Sequence, residues 1–398
     1  MRIAQGGRRA FAAGPVSKFR SPRTARIERR IILSSSEDDR LKYVLYGNVA
    51  TLDEAGTVVQ DGAVYIDGNR IAAVQPRAAA APAGFDAGAS ALETHGTIYP
   101  GLIELHNHPA YNVMPLWQVD QRYSDRETWR ASPLYDKILK SPMKILQATA
   151  SLLPALVRFV ESKSLVAGVT TTQGIPIGNG GTSRFYAGII RTVEQTQRAE
   201  LPDAISQVND VAATSVDKFY EQLLKSSSFI LHLSEGDDDA AREHFLAMHR
   251  SNGDWALSSA FAGIHCVGLN ADDLHVLAQF NASMIWSPLS NLLLYGQTAN
   301  VQAALAAGLT LGMGAGWSFT GSKSAFGELK CIRVMNDLLD VGLSGRDIVS
   351  MATRNAAKIL KWDKALGTVE SGKLADLIVL EGQSPDPYAQ LLSAGEER

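Results

Sequence analysis

The chain has 398 residues, enough for one large domain plus a small one. Hydrophobic residues at 45%, charged residues at 20% and a formal net charge of -3 are those of an ordinary globular protein, with no electrostatic reason to expect nucleic acid or an anionic membrane as partner. Two cysteines, Cys266 and Cys331, make no disulfide framework, which points to a reducing compartment, the cytoplasm. No apolar run approaches the roughly 20 residues that a membrane span needs.

Residues 1–40 differ from the rest. Arg2, Arg8, Arg9, Arg20, Arg23, Arg26, Arg29 and Arg30 crowd the first thirty positions, with Glu28 as the sole acid there. This reads as a disordered tail or the product of a misplaced start codon. Arg-rich, acid-poor composition also fits organelle targeting, whereas the lack of an apolar h-region argues against secretion.

From Leu41 the pattern becomes β-like. "YVLYGNVATLD" and "GAVYIDGNRIAAV" alternate apolar and polar residues, and Asp67-Gly68-Asn69 is a hairpin signal. An Ala/Pro-rich loop, Pro76 to Ala91, follows. "LADLIVL", Leu374 to Leu380, is another strand near the far end. Residues 41–98 and 362–398 are therefore expected to build one small β-domain, a β-sandwich, around a large insertion at 99–361.

Within the insertion, Phe229–Leu233, Phe261–Leu269, Ala282–Trp286 and Leu309–Gly314 read as strands. Asp272–Phe280, Ala299–Ala307, Ala325–Asp340 and Asp347–Leu360 read as helices, the last preceded by Ser344 and Asp347 at capping-box spacing. Such alternation over 99–361 fits a (β/α)8 barrel, typically ~250 residues. A doubly wound sheet shares the alternation, but no G-x-G-x-x-G follows a strand here.

The most informative stretch is "YPGLIELHNHP", Tyr99 to Pro109. Residues two apart on a strand share a face, so His106 and His108 are expected to present both imidazoles together at a barrel mouth. Paired neutral imidazoles suit a borderline ion such as zinc. Alone, an H-x-H pair is weak evidence. In "LHLSEG", His232 ends an apolar strand and Glu235 follows three residues on, where it could carry protons as an acid–base group. His265 also ends an apolar strand. A lone histidine in such a place is more often a hydrogen-bonded core residue than a ligand.

Taken in order, these pieces resemble the amidohydrolase superfamily, in particular its deaminase-like, single-metal branch. The matching segments are Pro100-Gly101-Leu102-Ile103 with His106 and His108, His232 with Glu235, His265, Pro288-Leu289-Ser290-Asn291, "TRNAAKIL" and "LGTVESGKLADLIVL". The resemblance implies that His106, His108 and His232 hold one divalent metal, zinc or iron, that His265 orients water or substrate, and that Glu235 shuttles protons. No lysine matches a bridging carboxylated lysine, which favours a single metal.

Two departures stand out. The resemblance calls for an aspartate at the end of the last barrel strand, and Gly316 occupies that slot in "GMGAGWSFTGSKS". No aspartate lies between Leu274 and Asn336 to replace it. Relatives also add further strands after "SPDPYAQLL", so the second part of the small β-domain is expected to be shortened. The expectation is a hydrolase cleaving a non-peptide C–N bond of a small molecule, impaired by the missing aspartate. The competing reading is a catalytically inactive relative that binds a ligand. Trp117, Tyr123, Trp129 and Trp317 are candidates for an aromatic wall, and Arg184 for an anion contact. A homo-oligomer is compatible with the sequence.

Overall fold

The chain first folds back on itself at residues 51–57, and again at the Asp67-Gly68-Asn69 signal. Strand β1 (Lys42–Ala50) pairs antiparallel with β2 (Val58–Asp67), which pairs with β3 (Arg70–Pro76) so that Asp67 faces Arg70 across a two-residue turn. Strand β4 (Ser90–Pro100) lies parallel to β1, and β13 (Leu377–Glu381) joins its far edge, giving the order β13-β4-β1-β2-β3. Both terminal segments thus contribute strands to one sheet. The computed structural model describes residues 41–85, 88–174, 188–317 and 319–395. Residues 1–40 and Arg184 lie outside them.

Among the described residues, eight short strands follow, all parallel to their partners. They are β5 (Leu102–Glu104), β6 (Val169–Thr172), β7 (Arg191–Thr192), β8 (Ile205–Gln207), β9 (Phe229–Leu233), β10 (Phe261–His265), β11 (Ser283–Trp286) and β12 (Thr310–Met313). They hydrogen-bond in the orders β5-β6-β7 and β12-β11-β10-β9-β8. Further backbone bonds run from Leu105 N to Met313 O (3.1 Å) and from Ala204 N to Val193 O (2.8 Å). The fold is therefore mixed α/β with parallel sheets.

The intervening segment between β5 and β6 holds four helices that the sequence reading left unassigned: α1 (Arg126–Arg130), α2 (Pro133–Tyr135), α3 (Ser141–Ala148) and α4 (Leu153–Val166). Later come α5 (Val216–Leu224), α6 (Asp239–Leu246), α7 (Ala271–Gln279), α8 (Pro288–Tyr295), α9 (Val301–Ala306), α10 (Ala325–Leu338), α11 (Gly345–Met351), α12 (Arg354–Leu360) and α13 (Pro387–Ser393). Ser344 and Asp347 do form a capping box. The helix read as continuous from Asp347 to Leu360 is two, because Thr353 leaves helical geometry at φ -136° and ψ -98°. Among the described residues no helix is long and apolar enough to cross a membrane.

Strand parity sorts the core. Phe229, Leu231 and Leu233 pack with Phe219, Leu223 and Phe245 of the covering helices. Ile230 points the other way, into a second cluster with Ile103, Leu105, Ala262, Ile264 and Ile285, which Leu360 and Trp362 also enter. That alternation places His232 on the same side as Ile230, which is what brings it into the site.

Candidate active site

His106 and His108 follow β5 directly. Regular pairing stops at Glu104, but the backbone stays tied to the segment after β12: Gly316 N donates to His106 O (2.9 Å) and His108 N to Gly316 O (3.1 Å). Gly314 permits this approach, since a Cβ there would lie 2.3 Å from Cβ of His106. His265 has the parity of Phe261, which points toward the helices. A left-handed backbone at His265 (φ 69°) and Cys266 (φ 52°) turns the chain at that point, and His265 lines the cavity beside His232. Non-glycine residues in that region cost of order 1–3 kcal/mol, and such strain concentrates at functional sites.

The four imidazoles converge. Nε2 of His106 and Nε2 of His232 are 3.0 Å apart. Ring centroids lie 4.9 Å apart for His106 and His265, 5.5 Å for His106 and His108, and 5.7 Å for His108 and His232. The tightest group is His106, His232 and His265, whose ligating nitrogens all fall within 4.8 Å of one another. Outer partners fix two of the rings. Nδ1 of His265 donates to Asn291 Oδ1 (2.8 Å), and Nδ1 of His106 pairs with Ser287 Oγ (2.9 Å). With its proton on Nδ1, His265 turns a bare Nε2 inward.

Electrostatics keeps three of the rings neutral. Burial, then the neighbouring imidazoles, hold His106 and His232 well below the usual histidine range. His108 is pushed down to about 4, chiefly by burial. Neutral imidazoles are the form that binds metal, and two buried ring nitrogens converging at 3.0 Å can present their lone pairs to one ion. The donor set therefore fits one borderline divalent ion.

Glu235 stands beside this cluster. Its loop is bent at Ser234 (φ 48°) and Gly236 (φ 156°), and its carbonyl accepts from Arg126 N (3.0 Å). Its Oε1 accepts from Tyr295 Oη (2.9 Å) and lies 3.7 Å from His265 Nε2, while Oε2 lies 4.0 Å from Arg126 Nη1. Arg126 is itself buried and held by Val208 O and the Asp210 carboxylate.

A cavity of about 180 Å³ opens over these groups. Tyr111, Trp129, Tyr135 and Trp317 wall it above the histidines and Glu235. Their rings touch in sequence, with centroids 5.2 Å apart for Tyr111 and Trp317, 5.7 Å for Trp129 and Trp317, and 5.1 Å for Trp129 and Tyr135. Of the four aromatic residues singled out by sequence, Trp129 and Trp317 line the cavity. Trp117 and Tyr123 pack behind it, in the same apolar cluster as Trp129 and Tyr135, together with Phe319 and Leu294.

A sequence model described as "Amidohydrolase family" matches residues 223–396, the stretch holding His232, Glu235 and His265. Over that stretch the chain is similar to the amidohydrolase family. A 5-methylthioadenosine/S-adenosylhomocysteine deaminase of Thermoanaerobacter pseudethanolicus is 30% identical over 136 residues, which is 33% of this chain and 32% of that protein. The chain thus spans about a third of the length of that relative. The like-named protein of Moorella thermoacetica is 25% identical over 366 residues, covering 83% of this chain and 84% of its own. Among solved structures, atrazine chlorohydrolase of Arthrobacter aurescens complexed with zinc superposes with a TM-score of 0.70 at 18% identity, covering 89% of this chain and 91% of that one.

The slot of Gly316 adjoins His106. A Cβ at Gly316 would meet Cε1 of His106 at 3.4 Å and Ser290 Cβ at 3.8 Å, ordinary contact distances. The backbone there is left-handed (φ 74°), a conformation that suits glycine. Among the described residues no carboxylate joins the three-imidazole group.

Sequence reasoning missed Arg126, Tyr295, Tyr111 and Tyr135. Arg126 and Tyr295 reach Glu235 from segments more than fifty residues away on either side, so no spacing announced them. One signal was present: "YSDRETW" places Asp125 and Thr128 at capping-box spacing, and that box forms.

Proposed function

We propose that this chain is a metal-dependent hydrolase of the amidohydrolase family that removes an amino group, or opens a cyclic amide, on a small planar heterocycle. The observation that carries this reading is that Glu235 and the neutral imidazole cluster face one aromatic-walled cavity. Aromatic walls favour a flat ring by offset or edge contact. A buried carboxylate within reach of that ring suits proton transfer. Deaminase names among the relatives and zinc in the structural neighbour support the same reading. The eight parallel strands are read as a (β/α)8 barrel with its site at the strand C-termini, supported by the links between β5 and β12 and between β7 and β8. The small terminal β-domain, read as part of a sandwich, is supported by β13 completing the sheet of β1–β4.

His106 and His232 are assigned to the metal on their 3.0 Å approach. For the third place, distance favours His265 and chain position favours His108. His265 already faces Asn291 on one nitrogen and Glu235 on the other. It is therefore assigned to orient water, and His108 to the metal. When bound, a divalent ion supplies the polarisation that makes a water nucleophilic at neutral pH. Glu235 takes the proton from the attacking water and delivers it to the departing nitrogen. Tyr111, Trp129, Tyr135 and Trp317 hold the ring, and their bulk excludes bulk water from the reacting atoms.

Turnover of aminopurines, aminotriazines and cyclic amides, followed by ammonia release or ring opening, tests this reading. Loss of turnover in Glu235→Gln with metal retained is expected. A metal-loaded wild type inert toward all three classes would favour a binding role instead.

A further inference from the structure

Tyr295 makes no contribution to the cavity wall, yet it is almost wholly buried against the group that the proposed reaction needs. Its hydroxyl stands between two partners, Nε1 of Trp129 at 2.9 Å and Oε1 of Glu235 at 2.9 Å. An indole N–H only donates. Tyr295 must therefore accept from Trp129, and its single proton is committed to Glu235. The polarity of the chain is fixed by chemistry: Trp129 to Tyr295 to Glu235. Burial, reinforced by the adjacent carboxylate, keeps the phenol protonated and so a permanent donor.

The two ends of this chain are also held together through the backbone. Asp125 caps α1 and bridges to Gly236, Arg126 N donates to Glu235 O at 3.0 Å, and Asp237 N donates to Ser124 O at 2.7 Å. On the other side, Tyr123 N donates to Leu294 O at 2.8 Å, pinning the residue before Tyr295. Segment 123–129 thus grips both the loop of Glu235 and the helix end that carries Tyr295. Trp129, at the far end of that segment, is also a wall of the cavity.

We propose that Tyr295 is a positioning residue for Glu235 and that Trp129 acts through it, so that a ring resting on Trp129 and the placement of the carboxylate are coupled. Tyr295 holds Oε1 on the side of His265 Nε2, while Oε2 faces Arg126, so the hydroxyl fixes which carboxylate oxygen is presented to the site. The proposal rests on the reading of Glu235 as the proton carrier.

Two measurements test it. Tyr295→Phe keeps the ring and deletes the hydroxyl. On a substrate that the wild type accepts, kcat should fall about tenfold with KM changed less than about twofold and metal content unchanged, the scale of a misplaced acid–base group. Added to Glu235→Gln, the same substitution should cost less than about twofold, because its effect runs through that carboxylate. An equal loss in both backgrounds overturns the proposal. The second measurement needs no turnover. In protein labelled with ¹⁵N at the tryptophan indoles, the Trp129 signal is the one lost in Trp129→Phe. It should shift in Glu235→Gln, a residue to which Trp129 donates no hydrogen bond, and that shift should disappear when Tyr295→Phe is already present. An indole signal indifferent to Glu235→Gln overturns the relay. A shifting signal in a protein that turns over no substrate counts against the proposed reaction alone and leaves the relay standing.

Discussion

Nε2 of His106 and Nε2 of His232 face each other at 3.0 Å in a site where burial keeps both rings neutral. A proton on one nitrogen satisfies the pair, yet His108 and His265 crowd the same vertex with nitrogens of their own. A divalent cation resolves all of these at once. The protein should therefore purify with about one zinc or iron per chain, as elemental analysis would show. His106→Ala and His232→Ala should each lose most of it. His108→Ala should lose more than His265→Ala, and the reverse order would transfer the third ligand to His265.

Glu328 predicts an alkaline weakness. Its carboxyl is fully buried, accepts from Leu289 N and Ser322 Oγ, and is pushed up to about 7 by burial. An unfolded chain ionises this group near 4.5, so between there and 7 the native state binds the extra proton. Stability from this group is complete below 4.5 and is lost as pH rises through 7. The buried histidines oppose it: their depressed pKa values give stability present above about 6.5 and lost as pH falls. Comparing Glu328→Gln with wild type isolates the first effect. The amide should gain on wild type by about 1.4 kcal/mol per unit of the raised pKa between pH 5 and 8. Denaturant melts of the metal-free proteins at both pH values check this, and a pH-independent difference would contradict it.

Arg126 carries structural weight beyond the site. Its guanidinium is buried among Val208 O, Asp210 and Glu235. Removing one partner of a buried ion pair costs about 3–5 kcal/mol, because the other charge is stranded. Arg126→Met preserves volume and should cost about 3 kcal/mol, the lower end, since Asp210 retains some solvent contact and His244 nearby at 3.3 Å. A loss below about 1 kcal/mol in urea melts would mean that water compensates Asp210 in full.

How much of this was legible in the sequence differs by region. Phe229–Leu233 and Ser283–Trp286 are short apolar runs bounded by polar turns, so local pattern and tertiary role agree. The stretch from Pro109 to Val166 was opaque. Its helices are short and interrupted, and Trp117, Tyr123, Trp129 and Tyr135 follow no single period, since they answer to one another and to Phe319 in space. His232 was readable because strand parity aims it inward. His265 was readable as a residue type at a strand end, but its direction depends on a left-handed turn that no local motif encodes. Tyr295 and Arg126 were invisible because their roles exist only where three distant segments meet around Glu235.

Gly316 offers the most direct way to alter the chemistry. A Cβ there would meet the edge of His106 at ordinary contact distance, so a side chain fits sterically, while the left-handed backbone resists one. Two substitutions separate these effects. Gly316→Ala should lower stability by about 1–2 kcal/mol with no change in chemistry, the cost of a Cβ in left-handed geometry. Gly316→Asp meets the same strain, eased by the tolerance of aspartate for this region. It adds a carboxylate beside a vertex otherwise built from neutral rings. If the slot belongs to the site as assigned, Gly316→Asp should hold metal more tightly than Gly316→Ala against a chelator. It should also raise turnover at least tenfold, a modest share of the ~10²–10⁴ that a positioned base contributes. Combining it with Glu235→Gln should remove most of that gain, because the proton would no longer be carried to the leaving nitrogen. Melting curves must accompany the kinetics so that strain is not mistaken for lost function. A Gly316→Asp protein that melts like Gly316→Ala, binds metal no more tightly and turns over no faster would show that the carboxylate points away from His106 and that the slot lies outside the reaction.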